Sequence, residues 1–222
     1  MSINRQIVVT IFCLFVLFFL FEFTNIDIFV QEFFYDEVTQ KWLLSHQKGS
    51  LLDTLFYTGI KKAIIIFGVF ILSLYLYSFK DSAQTLKEYR SGLLIVWLSI
   101  AMVPLIVGAI KAVSNVPCPY DCKYFGGEYP YIRVLDTIPQ EIVKKFKCYP
   151  AGHASGGFAL MSLFFLFKER RNRFIALGIA MLIGWSMGLY KMLIGHHYLS
   201  HTVITMILAW LLIVIIHKII KR

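Results

Sequence analysis

Six runs of mostly apolar residues divide this chain, at roughly 7–24, 61–79, 92–112, 151–167, 174–194 and 202–217. A helix that crosses a bilayer needs about 20 such residues, and each run meets or approaches that length. The fourth is the shortest, which puts the start of its helix close to His153. Hydrophobic residues make up 58% of the 222, with 20 Phe, and the mean hydropathy is +0.69. A soluble domain of this size would not carry that composition. The runs lack the alternation of barrel strands, so helices are the expected spanning form. The expected fold is therefore all-α: a polytopic membrane protein, a six-transmembrane-helix bundle, forming a single domain over residues 1–222. No repeat and no low-complexity linker interrupts it.

The basic residues set the expected orientation. Arg5; Lys80, Lys87 and Arg90; Lys168, Arg170, Arg171 and Arg173; and Lys218, Lys221 and Arg222 crowd short segments that hold only the acids Asp81, Glu88 and Glu169. Short Lys/Arg-rich loops stay cytoplasmic. Both termini are then inside, and residues 25–60, 113–150 and 195–201 lie outside. Raw counts do not decide this, since 11 of the 22 basic residues fall on each side; density in short loops does. The first run reads as a retained anchor, because no small-x-small cleavage site follows it. The net charge of +9 suits a membrane protein facing anionic lipid. Topology already accounts for the inner basic clusters, so nucleic-acid binding is not implied.

The outer connections are long. Residues 113–150 contain Pro117, Pro119, Gly126, Gly127, Pro130 and Pro139, together with Lys123, Arg133, Lys144, Lys145 and Lys147. Ordered loops of this length are usually functional. The plain reading of 138–147 is a solvated amphipathic segment; the sharper one is that some of these cations meet an anionic headgroup. The segment 25–40 alternates apolar residues with acids and is expected to lie in the outer interface, or else to extend the first helix. Cys118, Cys122 and Cys148 fall on the outer side, where disulfides persist. A Cys118–Cys148 bridge would tie the ends of the loop together, but Cys122 competes for either partner and the sequence leaves the connectivity open. A zinc site built on these cysteines has no strong spacing pattern behind it. Cys13, within the first run, reads as packing.

Three fragments carry candidate chemistry, all at helix ends on the outer side: Lys111 with Cys118 and Pro119; Pro150-Ala151-Gly152-His153; and Lys191 with His197 and His201. Taken singly they are weak. Lys111 could be a snorkelling cation, and His153 a polar helix start. Gly152 with Gly156 and Gly184 with Gly188 could be small-residue helix contacts. His197 and His201 stand one turn apart, a common spacing. Lys191 is harder to dismiss, since a cation near the end of an apolar helix is costly and usually functional.

Together, their order and spacing resemble the type 2 phosphatidic acid phosphatase superfamily. Its pattern is Lys-x6-Arg-Pro, then Pro-Ser-Gly-His, then Ser-Arg-x5-His-x3-Asp. The corresponding residues are Lys111-x6-Cys118-Pro119, Pro150-Ala151-Gly152-His153 and Tyr190-Lys191-x5-His197-x3-His201. The resemblance spans a motif-bearing core of 111–201, and the first 110 residues add only topology. There are five departures: Cys118 for arginine, Ala151 for serine, Tyr190 for serine, Lys191 for arginine and His201 for aspartate. Val116-Pro117-Cys118-Pro119, Cys148-Tyr149-Pro150-Ala151-Gly152-His153-Ala154-Ser155 and His197-Tyr198-Leu199-Ser200-His201 look most like the lipid A 4′-phosphatases of Gram-negative inner membranes.

The resemblance implies a multi-pass inner-membrane phosphatase whose site faces the periplasm and whose substrate is a membrane lipid with an anionic headgroup. It implies His197 as nucleophile, forming a phosphohistidine, and His153 as acid and then base. Lys111, Lys191 and the backbone at Gly152 would hold the phosphate. His201, or else Asp121 or Asp136 from the loop, would orient His197. Arg133 or Lys123 would replace a lost guanidinium. No metal or other cofactor is required, and the oligomeric state is left open. Other lipid phosphates (phosphatidic acid, phosphatidylglycerol phosphate, undecaprenyl diphosphate) fit the same pattern. An inactive lipid-binding relative would draw on the five departures, and a transporter would show broken helices and inverted repeats that are absent here.

Overall fold

The computed structural model describes residues 2–45, 49–80 and 82–221, with Tyr57 described in its backbone only. Asp81 and Arg222, used above for orientation, lie outside the described residues. Seven helices carry the architecture: α1 (Ile3–Phe23), α2 (Ile26–Glu32), α3 (Ile60–Tyr77), α4 (Arg90–Ser114), α5 (Gly152–Ala159), α6 (Arg170–Leu193) and α7 (Leu199–Ile220). Helical turns at Leu51–Asp53 and Thr54–Gly59 run directly into α3. The only strands among the described residues are Tyr35–Asp36 (β1) and Lys41–Trp42 (β2), an antiparallel hairpin.

Among the described residues, five helical stretches are long and apolar enough to cross a membrane: Ile3–Phe23, Leu51–Tyr77, Arg90–Asp121, Arg170–Leu193 and Leu199–Ile220. The fourth apolar run differs from expectation. It forms α5 and then tightens into 3-10 turns over Leu160–Phe165. At 1.5 Å per α residue and 2.0 Å per 3-10 residue the pair rises roughly 24 Å, short of the ~30 Å hydrocarbon core. Three glycines among eight residues weaken α5 as a helix but let it sit at the centre. It packs against α4, α6 and α7, and the main core joins Val103 and Val107, Ala154 and Phe158, Ala180 and Met187, and Ala209 and Ile213.

The close approaches rest on glycine. A Cβ on Gly157 would lie 2.7 Å from the Gly184 Cα, and one on Gly184 would lie 2.3 Å from the Phe158 ring. One on Gly188 would come 2.4 Å from Thr202 Cγ2. The small-residue reading of Gly184 and Gly188 therefore describes real contacts, but the partner on α5 is Gly157. Gly156 makes only ordinary contact with Ile64 at 3.7 Å.

The segment 25–40 does not extend the first helix. α1 ends at Phe23, and α2 folds back over the start of α7 with Asp27, Ile28 and Gln31 buried. The Gln31 side chain donates to the Met192 carbonyl (2.8 Å). Asp27 turns inward because it caps a helix: its carboxylate accepts from the Ser200 N–H (2.8 Å) and hydroxyl, and from Tyr131 OH (3.3 Å). The hairpin continues this cover, with the Trp42 ring tilted against those of Tyr35 and Phe125.

The loop 113–150 is pinned rather than splayed. Cys118 and Cys148 are disulfide-bonded, with Cα atoms 5.2 Å apart, and Cys122 is a buried free thiol. Lys144 pairs with Asp121 (2.7 Å), and the buried Phe146 meets Tyr129 edge-on. The stretch 138–147 is irregular and largely solvated, with Phe146 its one buried side chain, as the plain reading of a solvated amphipathic segment has it.

Candidate active site

The turn that carries His197 follows from two helix ends. α6 closes with a Schellman motif: Gly195 is left-handed (φ 73°), His196 N–H bonds to the Lys191 carbonyl (2.8 Å) and Gly195 N–H to Met192 (3.0 Å). A side chain at Gly195 would strike the Trp42 ring at 2.3 Å, so the hairpin holds this turn from outside. Four residues on, α7 begins under the Asp27 cap. His197 is fixed between these ends, 2% exposed, and its N–H also reaches the Lys191 carbonyl (3.3 Å).

One turn into α7, His201 brings its Nδ1 to 3.3 Å from the His197 Nδ1. Both rings are buried. In such a pair one nitrogen donates and the other accepts. With Nδ1 of His197 engaged, its Nε2 is the nitrogen left to face a substrate. Burial above all, and then the charge His201 would carry, push the His197 imidazole well below the ordinary histidine range, which keeps it neutral. His153, the second residue of α5, stands opposite, its ring centroid 6.5 Å from that of His197. α5 is registered against α7 at its first turn: Ala151 N–H donates to Thr205 Oγ1 (2.8 Å) and to the His201 carbonyl (3.2 Å).

The cations come from three helices. Lys111 lies in the last turn of α4, and its side chain reaches Gly152, within 3.8 Å of where a Cβ would stand. Lys191, 3% exposed in the last turn of α6, has the Asp53 carboxylate within electrostatic reach. Lys191, Lys111 and Lys61 all act electrostatically on the His153 ring. A cavity of about 460 Å³ is lined at its polar end by Lys61, Lys111, Gly152 and His153, and along its walls by apolar side chains that include Ile64, Ile65, Ile100 and Met187.

All six expected catalytic and phosphate-binding residues therefore meet at one end of the bundle. None of the loop residues considered alongside them lines the cavity that holds Lys111 and His153, and Lys123 among them is exposed. Asp121 is taken by Lys144 and the Cys118 N–H, and Asp136 accepts from the Arg133 N–H. Arg133 binds the Thr24 carbonyl and Asn25, away from His153. Two residues outside the motifs enter instead. Lys61 lines the cavity. Asp27 lines a small space of about 20 Å³ behind His201, with Glu22, Tyr131 and Arg133. The sequence signals for both were slight: a lysine pair at the head of an apolar run, and one acid between two isoleucines.

Ligand atoms of Cys148, His197 and His201 all lie within 4.8 Å of one another. The Cys148 sulfur is spent in the disulfide and has no thiolate to offer, so the trio as it stands does not fit a zinc site.

Opposed histidines with lysines about them thus stand at one end of a bundle of helices apolar enough to cross a membrane. The chain belongs to the PAP2 superfamily, whose family model matches residues 92–222. Membership places it among phosphatases that act on phosphate esters. No curated protein matches it, and neither does any solved structure.

Proposed function

We propose that the protein is a lipid phosphate monoester hydrolase of the bacterial inner membrane, working at the periplasmic face, with the 4′-phosphate of lipid A as its substrate. In this reading α5 and the turns after it make a sixth span, and both termini are cytoplasmic. The observation that carries the chemistry is the His197–His201 contact with His153 facing it. The one that favours a lipid is the cavity, which joins a cationic end to apolar walls, as a phosphate on an acylated headgroup requires.

The reaction runs in two balanced steps. The Nε2 lone pair of His197 attacks phosphorus in line; the P–O bond to the sugar breaks, and His153 gives the leaving oxygen a proton. Water then attacks the phosphohistidine while His153 takes its proton; the P–N bond breaks and inorganic phosphate leaves. Lys111, Lys191 and the N–H groups at the start of α5 stabilise the equatorial oxygens as charge builds. His201 holds the tautomer of His197, which a neutral imidazole can do.

The test is purified protein with a lipid A precursor phosphorylated on both sugars, read by mass spectrometry beside His197→Ala. Loss of the 4′-phosphate alone, absent in the variant, is the expected result. Release from the other sugar, or turnover only of phosphatidylglycerol phosphate or undecaprenyl diphosphate, would overturn the substrate and keep the chemistry. Silence on every lipid, in folded protein, would make this an inactive relative.

A further inference from the structure

The family pattern places an arginine where this chain has Cys118, and Cys118 is tied to Cys148. Of the two loop cations that could replace it, Arg133 is engaged elsewhere and Lys123 is exposed and does not line the cavity. A phosphoryl group that gains charge in the transition state still needs neutralising. Building on the function proposed above, we infer that Lys61 is a third phosphate-binding cation, supplied by α3 in place of the missing arginine.

The placement of Lys61 on its helix supports this. Ile64, Gly68 and Ile71 form the buried stripe of α3. Ile64 touches the position of Gly156 on α5, and Gly68 faces Ile100 on α4. Lys61 stands three residues before Ile64, on the same side and one turn nearer the outer end. Lys62 is rotated by the angle of one further residue and does not line the cavity. The turns before α3 aim this register. Thr54–Gly59 is a π-helical turn, a wider turn that shifts the following residues relative to a continuous α-helix and recurs at functional sites. It is closed by Gly59, where a Cβ would lie 2.5 Å from the Thr54 carbonyl oxygen.

Two further observations bear on the partner. Lys61 lines the cavity together with Lys111, Gly152 and His153. Among the described residues no carboxylate forms an ion pair with it. The ligand chemistry is thus a phosphate monoester dianion, entered from the side where the apolar walls begin.

The experiment uses full-length protein in detergent, with Lys61→Ala, Lys61→Arg, Lys61→Met and Lys62→Ala. Orthovanadate serves as the five-coordinate phosphate mimic for equilibrium binding; a lipid phosphate and a soluble aryl phosphate serve for turnover. Lys61→Ala is expected to weaken orthovanadate binding about tenfold or more, and to lower kcat/KM on both substrates by roughly 10–100-fold. Lys61→Arg should stay within about threefold of the parent, since a guanidinium keeps the charge. Lys62→Ala should be silent. If Lys61→Ala does not fold, Lys61→Met, which keeps the stem and removes the charge, decides the matter. Parental orthovanadate affinity and turnover in the neutral variants would overturn the inference and leave the proposed function standing. So would a loss confined to the lipid, which would make Lys61 a headgroup or interface contact. Orthovanadate binding without turnover of any ester would sink the hydrolase and leave Lys61 to be judged on binding alone.

Discussion

Nδ1 of His197 lies 3.3 Å from Nδ1 of His201, within one helical turn and with both rings buried. The family pattern puts aspartate at 201, so in the proposed mechanism an imidazole takes the orienting role. His197→Ala should abolish turnover and phosphohistidine formation. His201→Ala should lower kcat on the order of 100-fold with KM little changed, because it frees a ring without removing a phosphate contact. His201→Asp should recover most of that loss. Equal kcat for parent and His201→Ala would remove the orienting role.

His153 faces His197 across the site, their ring centroids 6.5 Å apart, and the proposed mechanism gives it the proton transfers to the leaving group and from water. His153→Gln should cost on the order of 10²–10⁴-fold on a lipid phosphate. An aryl phosphate, whose leaving oxygen needs no proton, should still phosphorylate His197 in this variant. Quench-flow trapping of the labelled protein separates the two steps.

The Cys118–Cys148 bond closes a 30-residue separation, and its Cys148 sulfur lies 3.7 Å from His197 Nδ1. Cys118→Ser should destabilise the outer loop by about 2–4 kcal/mol and lower activity by loosening the His197 turn. Thermal unfolding in detergent, with and without reductant, reads the first effect. Cys122→Ser should leave the non-reducing electrophoretic mobility unchanged.

Asp27 is buried beneath the first turn of α7, and burial raises its pKa from 3.8 to about 6 against the opposing Ser200 hydrogen bonds. The charged form is therefore disfavoured in the folded state. The stability tied to this group is complete below about pH 4, is lost as the pH rises through 6, and levels off above that. The loss amounts to about 3 kcal/mol at one pKa unit per ~1.4 kcal/mol. Asp27→Asn should flatten this part of the stability–pH curve and keep the bond from the Ser200 N–H. An unchanged curve would disprove the assignment.

Gly184→Ala would drive a methyl into the Phe158 ring, whereas Gly178→Ala meets nothing within 4 Å. The first should destabilise by about 1–3 kcal/mol or more, and the second should be neutral or slightly stabilising in helix propensity. Unfolding in mixed micelles distinguishes them.

The helical class and the three motif fragments could be read from the sequence because each rests on local information. An apolar run long enough to span must satisfy its backbone by helix formation, and motif residues keep fixed spacing along the chain. That spacing alone puts His153, His197, His201, Lys111, Lys191 and Gly152 at helix ends on one side. Tertiary structure alone decided the rest. Gly157, rather than Gly156, meets Gly184, because helix rotation depends on what the neighbouring faces exclude. The fourth run divided into an α-helix that holds all its glycines and a set of 3-10 turns that holds none. Asp27 went inward to cap a helix 173 residues away, and Lys61 came to the cavity from a helix outside the motifs. Such partners share no spacing with the groups they serve, and only the packed bundle brings them within reach.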